Sequence, residues 1–178
     1  PPPGSRPHPL TPVPAALPVP GKKAPPDAMK APEDPYGPSV PPRIGLTDVA
    51  AVQGLLTVQR LDGWLLFDRD GENPIAQRLV APDGHPTHAW LYLVSTVGPP
   101  TALFHISEAK SFERLPGKKI AYEGYRDFEK SLKEALKGDV TVAVEYSTEA
   151  SVPAVSRIDA GTLEVIRGVG VQVKSSDK

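Results

Sequence analysis

The sequence predicts an α/β domain, a mixed sheet of about six strands with helices on both faces, preceded by a proline-rich tail. Three observations point there. Residues 1–42 hold 16 of the 23 prolines in the 178-residue chain. From Arg43 onward apolar residues recur at alternating periods of 3.6 and 2, as they do where helices and strands take turns. A Pro-Pro turn separates two apolar, β-rich runs in the middle of the domain, which is a hairpin inside an otherwise alternating pattern.

Pro1 to Pro42 is expected to be disordered. Pro plus Gly make up 19 of these 42 residues, above the roughly 25–30% typical of low-complexity sequence. Leu10, Val13 and Leu17 are too sparse to offset the entropy of ordering. Pro12-Val13-Pro14 and Pro18-Val19-Pro20 suit polyproline II, serving either as a spacer or as a ligand for an aromatic groove.

In the folded part, Thr47 is a helix N-cap, Val49, Val52, Leu55 and Leu56 follow at helical spacing, and Asp62-Gly63 supplies the stop. Trp64 to Phe67 reads as a buried strand and Asp68 to Glu72 as a polar turn. Asn73-Pro74 opens a short helix through Val80, since proline is tolerated in a first turn. Ala89–Thr96 and Thr101–Ile106 form the hairpin around Val97-Gly98-Pro99-Pro100. Ser107 caps a helix toward Leu115, and Lys119–Tyr122 is a strand. Asp127 starts an amphipathic helix with Phe128, Leu132 and Leu136 on one face, Glu129 and Lys133 paired, and Gly138 past its end. Val140–Tyr146 is a strand, Thr162–Arg167 a helix and Val171–Lys174 the last strand. The hairpin is antiparallel and the later crossovers are expected to be parallel.

Several chemistries are disfavoured. The formal net charge is −1, and the pairs Lys22-Lys23 and Lys118-Lys119 lack the interleaved aromatics of a nucleic-acid surface. No apolar run approaches the roughly 20 residues of a membrane span. The chain has no cysteine, so thiolate metal sites and cysteine nucleophiles are excluded. That leaves the compartment open, cytoplasmic or exported with the signal removed. His85 and His88 are three apart, but Pro86 makes the segment a loop, with His88 packing or pairing at a strand edge. His105 reads as a hydrogen-bonded core residue. No nucleophile elbow, phosphate loop or zinc-helix motif is present, and Glu33-Asp34 and Asp68/Asp70 read as solvated charge.

Three stretches carry a resemblance. Leu61 to Ala76, with Asp62-Gly63-Trp64-Leu65-Leu66 and then Gly71-Glu72-Asn73-Pro74, resembles the opening of the N-terminal domain in the creatinase/prolidase/aminopeptidase P family of metallopeptidases. Thr87 to Val94 resembles that domain's next strand. Val144-Glu145-Tyr146-Ser147 through Val155-Ser156-Arg157-Ile158-Asp159-Ala160-Gly161-Thr162 is similar to its closing segment in a bacterial Xaa-Pro peptidase-like branch. The match spans about Arg43 to Asp177.

The resemblance implies a ribonuclease-H-like topology without nuclease activity, joined in family members to a C-terminal pita-bread domain. That domain holds two divalent metals through two Asp, one His and two Glu, and hydrolyses the bond before proline. No position here matches those ligands, so catalytic residues, metal ligands and cofactors in this chain are expected to be none. The catalytic domain is expected to be absent, because the chain stops at Lys178 near where it would begin; likewise Pro1, in place of Met, is expected either of a segment removed upstream or of a deliberately shortened chain.

The implied role is non-catalytic: walling the parent's active-site cleft, limiting peptide length and building a homo-oligomer. Asp68, Arg69, Asp70 and Asn73 are the candidate cleft loop, since loops at strand ends hold polar groups on a rigid frame. The other reading of that turn is a surface turn with Asn73 capping the next helix. Trp90 and Tyr92 are on one face of their strand, facing either the core or a partner subunit. A different class of function also fits: an interaction module whose proline-rich arm recruits a partner and whose α/β domain dimerises. A small-ligand-binding α/β domain is a third.

Overall fold

The computed structural model describes Gly45, Leu46 and residues 48–177. The proline-rich segment and the proposed cap Thr47 lie outside the described residues. The first helix, α1 (Val49–Val58), is capped instead by Asp48, whose carboxylate accepts from Ala51 N. It also ends earlier than Asp62-Gly63. Arg60 turns left-handed at φ 55°, and Leu61 N closes on Leu56 O at 2.9 Å. Asp62 therefore does not end the helix, and its carboxylate accepts instead from the backbone N–H groups of Val140 and Thr141 at 3.0 and 2.8 Å. That pins the start of β1 (Gly63–Asp68) beside the start of β5 (Thr141–Val144).

The remaining strands are β2 (Trp90–Ser95), β3 (Thr101–His105), β4 (Lys118–Tyr122) and β6 (Gln172–Ser175). They form one six-stranded sheet in the order β4-β3-β2-β1-β5-β6. β2 is antiparallel to both its neighbours, and every other pairing is parallel. The expected mixed sheet is therefore present, with β2 as its one reversed strand.

Both faces are covered. Leu65, Phe67, Leu91, Leu93, Val142 and Val144 pack beneath α3 (Tyr125–Ala135) and α4 (Ala160–Gly168). On the other face Leu66, Trp90, Tyr92, Val94 and Phe104 pack with Leu56 of α1, with Ala76 and Val80 of α2 (Pro74–Val80), and with Phe112. Burial on two sides explains why β1 and β2 read as unbroken apolar runs rather than alternating ones.

Local differences from the sequence reading have local causes. The helix expected toward Leu115 is a 3-10 helix over residues 106–112, and its cap is not Ser107 but His105, whose Nδ1 accepts from Ser107 N. His105 is half-buried at the end of β3 rather than in the core, held by Glu123 O at 3.2 Å from Nε2. The helix expected at Asp127 starts two residues sooner, because Asp127 reaches back to accept from Glu123 N. Its apolar face is as expected, with Phe128, Leu132 and Leu136 buried. Among the described residues no ion pair joins Glu129 to Lys133; the pairs present are His85–Asp70, His88–Glu108 and Arg114–Asp83.

Trp90 and Tyr92 are 0% and 1% exposed. Trp90 meets Phe112 edge-on at 5.5 Å, and the Tyr92 hydroxyl donates to Pro116 O at 3.2 Å, its pKa pushed up to about 12 by burial. Both rings belong to the core, and neither has free area to meet a second subunit.

The parallel entry of β4 beside β3 depends on one glycine. Gly117 has φ +98°, and a Cβ there would lie 2.0 Å from Pro100 O, the carbonyl that accepts from Lys118 N at 2.8 Å. Gly117→Ala is therefore expected to destabilise the domain by about 2 kcal/mol or more, read as a lowered urea midpoint with an unchanged slope.

Candidate functional site

The turn after β1 has two kinds of polar residue, those that hold it together and those it presents. Asp68 is 1% exposed, and its carboxylate accepts from Asn73 N at 2.7 Å, Gly71 N at 3.2 Å and Gln77 Nε2 at 2.6 Å. Asn73, also 1% exposed, caps α2 by accepting from Ile75 N and Ala76 N through Oδ1. Its amide nitrogen donates to Phe67 O at 2.6 Å. These two side chains bind the turn internally and have little left for an external partner.

Arg69 and Asp70 are exposed. Asp70 is left-handed at φ 55° and lies 3.7 Å from His85 Nε2. The imidazole of His85 sits over Gly71, where a Cβ would come within 2.7 Å of its Cε1. Arg69 lines a cleft between α3 and α4; burial there pushes the Asp159 carboxyl up, but the hydrogen bonds from Thr162 and then the Arg69 charge outweigh it and hold the group below its usual range. Of the four candidate residues, then, two are structural and two are presented to solvent.

The sequence reading missed Glu145 as a site residue. It follows the last residue of β5 and is 1% exposed. Trp64 Nε1 donates to its Oε1, and Asn73 Nδ2 lies 3.3 Å from its Oε2. Burial pushes its pKa up to about 7, opposed by hydrogen bonds from Trp64, Asn73 and the backbone at Phe67 and Glu145. The available signal was a carboxylate ending an apolar central strand, since a charge in that place needs partners.

His88, read as pairing at a strand edge, does so: Nδ1 is 3.0 Å from Glu108 Oε1, which also accepts from the backbone N–H of Thr87 and of His88. Among the described residues no cluster of three or more His, Asp or Glu is placed to hold a metal ion. Among the same residues no helix is long and apolar enough to cross a membrane.

The sequence matches no protein-family model and no curated protein. Its structure does have counterparts. The creatinase/prolidase N-terminal domain of an X-Pro dipeptidase from Streptococcus pyogenes superposes with a TM-score of 0.55 at 10% identity, over 72% of this chain and 92% of that one. The X-Pro aminopeptidase from Thermotoga maritima gives 0.55 at 12% identity, over 73% of this chain. The prolidase from Pyrococcus horikoshii gives 0.50 at 14% identity, over 72%. This chain spans 33% of the length of that aminopeptidase and 32% of that prolidase. The α/β fold is that of creatinase/prolidase N-terminal domains, as the motif resemblance implied.

Two outcomes follow from the buried network. Because the folded pKa of Glu145 is raised from 4.5 to about 7, its proton favours the folded state at acid pH. That advantage is complete below about pH 4.5 and is lost as pH rises through 7. Stability should therefore fall by up to about 3 kcal/mol across this window, and Glu145→Gln, which keeps an acceptor for Trp64, should flatten the profile in denaturant titrations at successive pH values. Asn73→Ala should cost about 2 kcal/mol or more in the same assay, since it removes a helix cap and a buried donor together.

Proposed function

We propose that this chain is the non-catalytic N-terminal domain of a Xaa-Pro peptidase of the creatinase/prolidase kind. It walls the parent's active-site cleft and contributes to its oligomer. The observation that carries the reading is one of coverage. The fold accounts for 92% of a solved N-terminal domain but only 32–33% of two longer enzymes. Hydrolysis, with its two divalent metals, then belongs to a catalytic domain in the parent polypeptide, and that domain is the first partner of this one.

In this reading Arg69 and Asp70 are the residues that meet peptide, because Asp68 and Asn73 are committed to the turn that presents them. An extended substrate contacts such a rim beyond its reacting bond, so the rim acts on binding and length selection rather than on the chemical step. The exposed Leu55 and Val58 of α1, 64% and 77% exposed, offer apolar area for contact between subunits, which Trp90 and Tyr92 do not.

The direct test is the intact mass of the native polypeptide, detected with an antibody against residues 43–178. A species larger by a whole catalytic domain supports the reading, and a native species of 19.0 kDa overturns it. In the parent, Arg69→Ala with Asp70→Ala should raise KM for longer Xaa-Pro peptides about threefold or more, with kcat changed less than about twofold. A loss confined to kcat would place these residues elsewhere.

A further inference from the structure

At the carboxyl-terminal edge of the sheet, residues of α3 and α4 line an open cleft of about 810 Å³, within the size range of small-molecule sites. Its base is aromatic. Phe128 meets Tyr122 edge-on at 5.0 Å, Tyr122 meets His105 edge-on at 5.4 Å, and His105 stacks on His88 at 4.1 Å with the planes 10° apart. The Tyr122 hydroxyl donates to Ala89 O at 2.7 Å, which fixes the ring. At the rim Tyr125 is 70% exposed, a large ring in the first turn of a helix with no core to serve.

Carboxylates outnumber cations in the cleft. Glu129 from α3 and Glu164 from α4 line it, both exposed, and neither is in any of the ion pairs of the described residues. Asp159 adds a third carboxylate, accepting from Thr162 N and Oγ1. Among the described residues, the one guanidinium lining the cleft is that of Arg69. An anion is disfavoured here although α4 begins at the cleft, because the Asp159 carboxylate already occupies that helix end. A hard metal ion is disfavoured too, since no three donors converge among these residues. The exposed Tyr125 ring and the carboxylates together favour a weakly hydrated cation with an apolar body.

We propose that this cleft binds an organic cation, an arylalkyl-ammonium or guanidinium group. The charge lies between Glu129 and Glu164, and the apolar body lies on the exposed ring of Tyr125, against the edges that Tyr122 and Phe128 leave open to the cleft. The same chemistry is offered by a free amine or by a basic side chain of a peptide. The proposal does not depend on the peptidase reading and concerns the 178-residue chain itself.

The test is an amide NMR titration of the full chain with phenethylammonium, with a capped Phe-Arg dipeptide amide, and with phenylacetate as the anionic counterpart. Saturable shifts at Tyr125, Glu129, Glu164 and Val165 are expected with both cations, at a Kd on the order of 1 mM for the free amine, and none with phenylacetate. Glu129→Gln and Glu164→Gln should each weaken binding about threefold and together about tenfold, and Tyr125→Ala about threefold. Arg69→Ala should tighten it about twofold. All four positions are exposed, so an unchanged spectrum elsewhere verifies the fold. Tighter binding of the dipeptide marks a peptide as the source, tighter binding of the amine a free amine, and either supports the cation site. Equal binding of phenylacetate, no saturable shift with either cation, or an unchanged affinity in the double glutamine variant overturns it.

Discussion

β1 is paired on both edges and buried on both faces, and the chain must still leave it through a polar turn. In a dry interior each backbone or side-chain polar group at that exit needs a partner. Asp68, Asn73 and Glu145 meet the requirement jointly. Asp68 satisfies the turn's N–H groups, Asn73 satisfies Phe67 O and the first turn of α2, and Glu145 accepts from Trp64 and Asn73. At the other end of the strand the Asp62 carboxylate fastens Val140 and Thr141. β1 and β5 are thus tied together at both ends by acidic side chains, and the direction of α2 follows from the cap.

This arrangement separates structure from presentation within a few residues. Since Asp68 and Asn73 are consumed inside the turn, Arg69 and Asp70 are held outward on a frame with little freedom of its own. With β2 the one reversed strand, the carboxyl-terminal ends of the other five strands gather on a single edge, and α3 and α4 start from that edge. Loops on that edge of an α/β sheet commonly carry binding functions. The turn and the cleft between α3 and α4 both belong to it, so a rim contact and a ligand site can be served by one side of the domain.

Much of the fold was legible locally. The Asn73-Pro74 helix start, the hairpin around Gly98-Pro99-Pro100 and the apolar stripe of α3 all depend on residues within about one helical turn or one hairpin of each other. The helix ends were read less well where a distant group intervened. Asp62 is no helix stop because Val140 and Thr141 recruit its carboxylate. His105, not Ser107, caps the following 3-10 turn because Glu123 O, 18 residues on, orients its ring. Trp90 and Tyr92 share a strand face that periodicity leaves open between core and interface, and it is α1, α2 and Phe112 that cover it.

By itself the sequence determined the element types, their order, the two-faced burial of the central strands and the family likeness of the motifs, because these follow from periodicity and turn chemistry over short spans. The tertiary structure alone decided which polar residues are spent internally and which remain to bind. Glu145 stands at the end of an apolar strand, where local pattern says that a charge needs partners but not which ones. It becomes a buried acceptor because folding brings it to Trp64 and Asn73, 81 and 72 residues away. Desolvation is a property of everything packed around a group, and most of what surrounds this carboxylate is far from it along the chain.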